Sequence, residues 1–298
     1  MKNALLLTAS AMALIPASAS AVEWTYASAD LSYRSLEVAG DTSSLTSLGG
    51  EFEAREGRFT FGGFVDAVLI DDGSDLFYYG ASIGYDFTPT FTAYFDIEAV
   101  SVTDDLFGDD TFATYTLGGE YETGPFTFGA AVGYAPDSED DVAYAVYAGY
   151  ETSPDLLFYA SIGTYVDAED VTYTLGVDYD GSTFDIDGVL FAAPETDLTL
   201  VAMSGHYYFN ASVDFRVGGQ VAYFDIDGDD VTIYGVSAGA EVTDNLWLDA
   251  GVSFGDSSTI DDTATIYRIG LEYEIGKRDK LKSRISDAQR AALIDFGY

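Results

Sequence analysis

Apolar residues alternate with small or polar residues along most of the chain, in runs of about ten residues that end at turn-forming residues. In the run 126–135, Phe128 and Val132 share one face and Gly129 lies on the other. In the next run, Val146 and Tyr147 lie on opposite faces in the same way. A side-chain period of two is typical of β-strands. The apolar face can pack on a second sheet in a soluble sandwich or face lipid in an outer-membrane barrel.

Sixteen runs of this kind follow one another from Val22 onward, and no helical period interrupts them. One strand per sixteen residues or so matches the roughly ten residues that a tilted transmembrane strand needs, plus a short connection. Alternation is weakest in the first and the twelfth run. The predicted strands cover 24–37, 44–56, 58–70, 75–87, 90–102, 111–122, 126–135, 141–151, 155–166, 170–180, 183–191, 197–209, 211–224, 230–242, 245–255 and 263–275.

The connections between these runs are of two alternating kinds. Minimal turns of residues with turn chemistry lie at 56–57, 88–89, 123–125, 152–154, 180–182, 210 and 243–245. Longer acidic loops lie at 39–43, 71–75, 103–110, 136–141, 167–170, 192–197, 225–230 and 256–262. A bacterial transmembrane barrel has this layout, with both termini on the periplasmic side. The sequence therefore predicts an all-β, antiparallel, up-and-down transmembrane barrel of about sixteen strands, with short periplasmic turns and acidic extracellular loops.

The two ends of the chain differ from this body. Lys2 precedes an apolar run at 4–15, and Ala19-Ser20-Ala21 is an A-x-A cleavage site, so residues 1–21 are predicted to be a signal peptide. The barrel is then expected over 22–276, and 277–298 form a basic periplasmic tail. In this tail, Leu281, Ile285, Ala288 and Ala292 fall at helical spacing and Ser286-x-x-Gln289 is a candidate capping box, which predicts a short helix through Ile294. Docking on the acidic periplasmic mouth, contact with peptidoglycan and disorder are the alternatives for the tail.

Charge narrows the range of partners. The net charge is −39, and six of the 12 basic residues lie in 277–298, so the body is still more acidic than the total suggests. Such a body repels nucleic acid and attracts cations. The chain has no cysteine, which excludes a disulfide framework, a thiolate metal site and a thiol nucleophile. No glycine pattern lies between a strand and a helix as a phosphate loop requires, and no cofactor is predicted.

The face opposite the lipid face is predicted to line a lumen, and its charge is mostly negative. The predicted pore-lining residues are Glu51, Glu53, Asp66, Asp86, Asp96, Glu98, Glu120, Glu122, Asp178, Asp185, Asp214, Arg216, Glu241, Asp249, Arg268, Glu272 and Glu274, with Arg34 and Arg55 as further basic residues. Rings of Asp and Glu favour cations in a pore, although acidity can also serve solubility alone. Small residues on this face, among them Gly129, Gly133 and Gly176, either widen the aqueous path or relieve strain in a curved sheet.

Two motifs suggest other chemistry. The loop with Asp225, Asp227, Asp229 and Asp230 is similar to a calcium loop, but its glycine is at the wrong offset for an EF-hand and no glutamate follows at the twelfth position. These residues are therefore weak metal candidates, and loose binding of divalent ions by several acidic loops is expected instead. His206 is the single histidine, and spacing ties no serine or aspartate to it. A structural histidine is favoured over a barrel hydrolase, and no enzyme is predicted.

The last run contains Arg268-x-Gly270-x-x-Tyr273-x-Ile275, which is similar to the signal that the barrel-assembly machinery reads. In architecture, 22–276 resembles the general porins of Gram-negative bacteria, in particular the sixteen-stranded alphaproteobacterial type. The resemblance implies an outer-membrane location, contacts with lipid and lipopolysaccharide, a homotrimer, and passive diffusion of small hydrophilic solutes. Porins of this family fold a long third loop into the lumen, whereas the third acidic loop here, 103–110, is short.

The leading hypothesis is thus a cation-preferring porin. The alternative is a structural or adhesive outer-membrane barrel whose acidic loops bind divalent cations and whose lumen is no significant channel.

Overall fold

Sixteen antiparallel strands close into one barrel in the computed structural model of the chain. The structure describes residues 22–71, 75–104, 108–136, 142–165, 171–209, 213–226, 228–258, 263–276, 281 and 285. The strands are β1 (Glu23–Val38), β2 (Asp41–Glu56), β3 (Phe59–Ile70), β4 (Asp75–Thr88), β5 (Phe91–Asp104), β6 (Gly108–Thr123), β7 (Phe126–Tyr134), β8 (Val142–Ser153), β9 (Leu156–Tyr165), β10 (Val171–Asp180), β11 (Phe184–Ala193), β12 (Leu198–Phe209), β13 (Phe215–Ile226), β14 (Asp229–Thr243), β15 (Leu246–Ser257) and β16 (Ala264–Gly276).

Each strand pairs with its neighbours in sequence, and β1 pairs with β16 to close the barrel. The all-β, up-and-down, sixteen-stranded architecture predicted from the sequence is therefore confirmed. A 3₁₀ turn at Pro194–Thr196 joins β11 to β12. Among the described residues, no helix is long and apolar enough to cross a membrane.

The alternating pattern puts large apolar side chains on the outside of the barrel. Val146 is 57 % exposed and Val132 is also exposed, as are Phe128 and Leu117. On the inner face, Ala222 is fully buried. A closed sheet with an apolar outer surface satisfies its backbone hydrogen bonds internally and can sit in hydrocarbon. The two valines lie on the outer face as their run predicted.

We call the rim where β1 begins and β16 ends the proximal rim, and the opposite one the distal rim. At the proximal rim, five of the seven connections have two residues, as between β2 and β3. At the distal rim the strand ends are separated by two to seven residues. The predicted contrast between short turns and longer loops is therefore present, but it is weaker than expected.

Two predicted loops are largely strand in the structure. Residues 39–43 were expected to be a loop, but Ala39 and Gly40 alone form the turn, with φ of 54° and 90°. Two positive φ angles are typical of a type I′ hairpin turn, which matches the twist of the flanking strands. The loop predicted at 225–230 is also wrong, because Asp225 pairs with Asp230 in the ladder between β13 and β14. Polar strand ends that project past the apolar band had the composition of loops.

The connection at the proximal end of β13 is longer than predicted. A single-residue turn at 210 and a strand from 211 were predicted, whereas β12 ends at Phe209 and β13 begins at Phe215. The four register shifts of the described ladders all lie near the proximal rim, as between Glu241 and Thr243 of β14. Bulges at barrel rims bend the strand locally and increase its twist.

Exposed aromatic rings surround the proximal rim on the outside. Phe87 and Phe91 flank one turn with ring centroids 6.0 Å apart, and Phe126 stacks on Tyr150 at 4.7 Å. Rings in this position lie where an aromatic girdle contacts lipid headgroups.

Candidate functional site

The inward-facing side chains divide the lumen wall into two halves. Strands β4–β9 form what we call the packed half, where tyrosines and carboxylates are buried against one another. Strands β10–β16 and β1–β3 form the open half, which surrounds most of a cavity of about 830 Å³. Tyr159 of β9 borders both regions. The cavity is the candidate functional site because it is the space through which a solute would pass.

Charged residues line much of the open half. Within the described part of the chain, ten acidic residues and two arginines border the cavity. They are Asp30, Glu51, Asp66, Asp178, Asp180, Asp185, Asp187, Asp249, Glu272, Glu274, Arg216 and Arg268. Serines and Gln220 add neutral hydrogen-bonding groups.

Arg216 holds the part of this wall formed by β13, β15 and β16. Its Nε donates a hydrogen bond to Asp249 Oδ1 at 2.8 Å, and its terminal nitrogen donates to both Asp249 and Glu272. The guanidinium carbon also lies 4.8 Å from the ring centroid of Trp247. A bidentate carboxylate contact and an aromatic face together fix a guanidinium firmly. Arg216 is therefore buried, with its charge directed at two carboxylates of the cavity wall.

A second network surrounds Asp185 on β11. His206 donates its backbone N–H to Asp185 Oδ1 at 2.8 Å, and its Nδ1 lies 3.1 Å from the same oxygen. The Tyr208 hydroxyl donates to the other carboxylate oxygen. Within the described part of the chain, the His206 ring hydrogen-bonds to Asp185 alone, an aspartate that sequence spacing did not tie to it. Tyr208 also meets Trp247 edge to face at 5.7 Å, which connects the two networks.

The packed half is organised around tyrosines that lie over glycines of the next strand. In each pair the two residues are directly opposite in register, and a Cβ on the glycine would lie within 2.5 Å of the tyrosine ring. The pairs are Tyr94 with Gly118, Tyr147 with Gly129, and Tyr159 with Gly176. Aromatic side chains commonly cover strand glycines in this manner.

Tyrosine hydroxyls of the packed half also form hydrogen bonds with carboxylates and with each other. The hydroxyls of Tyr94 and Tyr147 are 2.9 Å apart, and Tyr147 donates to Glu120 Oε1 at 3.2 Å. Tyr78 donates to Glu98 Oε2 at 2.8 Å. Burying a carboxylate is costly unless hydrogen bonds replace its water, and the tyrosine hydroxyls supply such bonds.

Two residues of the C-terminal tail also reach the packed half. Leu281 and Ile285 belong to one buried apolar cluster with Tyr94, Tyr147, Leu157 and Tyr159. The other predicted residues of the tail lie outside the described part of the chain.

The structure separates the predicted pore-lining residues into groups. Nine of them border the cavity: Glu51, Asp66, Asp178, Asp185, Arg216, Asp249, Arg268, Glu272 and Glu274. Five more carboxylates lie elsewhere on the inner face, where those of Asp86, Glu98 and Glu120 accept side-chain hydrogen bonds within the packed half. These five are Glu53, Asp86, Asp96, Glu98 and Glu120. Glu122, Asp214 and Glu241 lie close to proximal turns.

Sequence reasoning missed several wall residues. Asp187 shares a face with Asp185 by the period of two, so alternation alone was enough to include it. Asp30 lies in the first run, where alternation is weak. The tyrosines are uncharged and were therefore not among the predicted pore-lining residues. The register set by the short turns nevertheless places Tyr147 opposite Gly129.

The structure describes three of the four weak metal candidates, Asp225, Asp229 and Asp230. Among the described residues, no three His, Asp or Glu side chains are grouped to hold a metal ion. The Asp225 carboxylate accepts hydrogen bonds from Gly228 N and the Tyr223 hydroxyl at 3.2 Å each. Asp227 lies outside the described residues.

Comparison with known proteins agrees with the closed sixteen-stranded barrel and its internal cavity. A profile of the Gram-negative porin family matches residues 7–170, which is more than half of the chain. A search of curated protein sequences finds no match.

Among solved structures, OpdO of Pseudomonas aeruginosa is similar, with a TM-score of 0.50 and 10 % identity over 85 % of this chain and 96 % of that one. A variant of the Rhodopseudomonas blastica porin is similar with a TM-score of 0.49 and 12 % identity, over 85 % of this chain and all of the other. OpdO supports the barrel fold, and the family assignment depends on the profile. The chain belongs to the Gram-negative porin family and is an outer-membrane β-barrel channel.

Proposed function

We propose that the chain is a passive channel for small hydrophilic solutes and that it prefers cations. The observation that carries the proposal is the lining of the cavity, where ten acidic residues accompany two arginines among the described residues. Carboxylate rings lower the energy of a cation in a pore and raise that of an anion. A cavity of about 830 Å³ with this charged lining suits hydrated ions and small solutes.

The two arginines do little to offset the negative charge of the cavity lining. Arg216 is held between Asp249 and Glu272, so its charge is directed at groups that already belong to the acidic wall. Arg268 remains as the other positive charge on the described lining. Low-dielectric walls around one sign of charge concentrate counter-ions near the passage. The preference should therefore be strongest at low ionic strength, where charges are screened less and act over longer distances.

Planar bilayers containing the purified protein test both parts of the proposal. We expect stepwise conductance. In a KCl gradient, we expect a reversal potential at which the dilute side is positive, because potassium crosses the pore more readily than chloride. The potential should decline when both solutions are made more concentrated at a fixed ratio. Steps with a potential of zero or of the opposite sign would contradict the cation preference. An absence of steps would favour the structural or adhesive barrel with divalent-cation-binding loops.

The remaining partners are proposed from membership of the family. Lipid and lipopolysaccharide would contact the outer surface and the distal rim, and three copies would associate side by side. The assembly machinery would read the end of β16, from Arg268 to Ile275. Native gels of the detergent-extracted protein with and without heating test the homotrimer, and a band at the monomer mass before heating would contradict it.

A further inference from the structure

Two tail residues are buried although they lie beyond the last strand. Leu281 is 6 % exposed and Ile285 is 7 % exposed, and both have α-helical backbone conformation. Residues four apart lie on one face of a helix, so both side chains can meet a single surface. The residues that they meet are Tyr94, Tyr147, Leu157 and Tyr159.

Gly149 of β8 makes the space for Leu281. A Cβ at this glycine would lie 2.7 Å and 2.9 Å from the two δ-carbons of Leu281, and 3.3 Å from Leu157 Cδ1. Any larger residue would displace the leucine. Gly149 shares the inner face of β8 with Tyr147, whereas Val146 and Tyr150 are exposed on the outer face. Leu281 therefore packs on the wall from inside the barrel.

The path along the chain agrees with this placement. Gly276 ends β16, and β8 lies eight strands away in either direction around the closed barrel. Eight strand spacings of about 4.8 Å amount to about 38 Å along the wall. Five residues span about 17 Å at most when fully extended. Leu281 therefore does not reach Gly149 by following the strands around the wall, which agrees with its contact on the inner face.

We propose that Leu281 and Ile285 anchor the C-terminal tail to the inner face of the lumen wall and that these two side chains narrow the passage. The contact is apolar, so it does not depend on pairing between the basic tail and the acidic mouth. Tyr159 belongs both to this anchor cluster and to the cavity lining, which places Leu281 and Ile285 beside the passage. The narrowing depends on the proposed channel function, whereas the anchoring does not.

Cysteine crosslinking tests the anchoring. The chain has no cysteine, so the double variant Gly149→Cys with Leu281→Cys has only the thiols of interest. It should form an intramolecular disulfide on mild oxidation, seen as a shift on a non-reducing gel. Gly84→Cys with Leu281→Cys is the matched control, because Gly84 also lies on the inner face four residues from its proximal strand end and has room for a Cβ. A disulfide yield no higher than in the control overturns the anchoring.

Conductance of the same double variant tests the narrowing. The oxidised form should give small steps, and reduction should enlarge them. Leu281→Asp should enlarge them as well, by a ratio that is similar at low and high salt because an apolar contact is released. Equal conductance before and after reduction, with the disulfide demonstrated, overturns the narrowing. If neither form conducts, the channel proposal fails together with the narrowing, and the gel alone decides the anchoring.

Discussion

The packed half and the open half of the lumen wall come from the same alternating strands, yet they differ in what their inward side chains contact. In the packed half, Tyr147 and Tyr159 reach across glycines of neighbouring strands and fill the space. In the open half, carboxylates such as Asp187 and Glu274 border the cavity. The period of two selects the face of a strand, but the size and charge of the inward residues decide whether that face is packed or wet.

The same residue type has different roles in the two halves. Asp96 and Glu120 are each 1 % exposed, and Tyr147 donates a hydrogen bond to Glu120. A carboxylate buried in this way contributes mainly to the structure of the wall. Asp178 and Glu272 border the cavity, and the proposed cation preference assigns their charges a role toward solutes.

The largest expected effect is on stability in the packed half. Tyr147→Ala should lower the free energy of unfolding by about 3 kcal/mol, because it opens a cavity and removes the hydroxyl that contacts Tyr94 and Glu120. Tyr147→Phe keeps the ring and should cost about 1 kcal/mol. Urea unfolding in lipid vesicles measures both. Tyr208→Ala, beside the cavity, should cost clearly less than Tyr147→Ala, and equal losses would contradict the division into halves.

A glycine pair on β7 tests the packing more finely. Gly129→Val should destabilise the barrel by about 1–3 kcal/mol, because its Cβ would lie 2.1 Å from the Tyr147 ring. Gly133→Val is the control on the same strand and face, where the nearest atoms lie at 3.7 Å. Urea unfolding of the two variants side by side gives the comparison. A stable Gly129→Val variant would mean that the ring of Tyr147 is not fixed over this strand.

The sequence contained enough to predict the strands and their faces. Val132 and Val146 are outside, and the inward carboxylates alternate with them, because neighbouring side chains on a strand point to opposite faces. Gly129 and Gly176 were expected to widen the path or to relieve strain, and the first interpretation is wrong for both. Their register partners are tyrosines that occupy the space.

Contacts between parts of the chain that are not neighbouring strands could not be predicted from the alternating pattern. Tyr94 and Tyr147 lie three strands apart and meet through their hydroxyls, which depends on the cross-section of the closed barrel. The contact of Leu281 with Gly149 joins two regions that alternation treats separately. Helical spacing grouped Leu281 and Ile285 with Ala288 and Ala292 in the tail, but nothing local indicates which part of the wall the first two contact.

The smallest expected effect is on the reversal potential, and it distinguishes the carboxylates of the open half from those of the packed half. Asp187→Asn combined with Glu274→Gln should move the reversal potential in a KCl gradient toward zero, because both carboxylates border the cavity. Asp96→Asn combined with Glu120→Gln should leave the potential nearly unchanged, because these side chains are buried in the packed half. Single-channel recordings at low salt give the best resolution, because the screening length is about 8 Å at physiological salt and becomes longer as the salt concentration falls.

Arg268→Gln provides a control of opposite sign for this comparison. Removal of a positive charge from the cavity lining should strengthen the cation preference, whereas removal of carboxylates weakens it. A nonspecific effect of substitution on the barrel would move all variants in one direction. If the buried pair shifts the potential as much as the cavity pair does, the packed half also contacts the conducting path. The division of the wall would then describe packing density alone, and selectivity would be spread around the whole lumen.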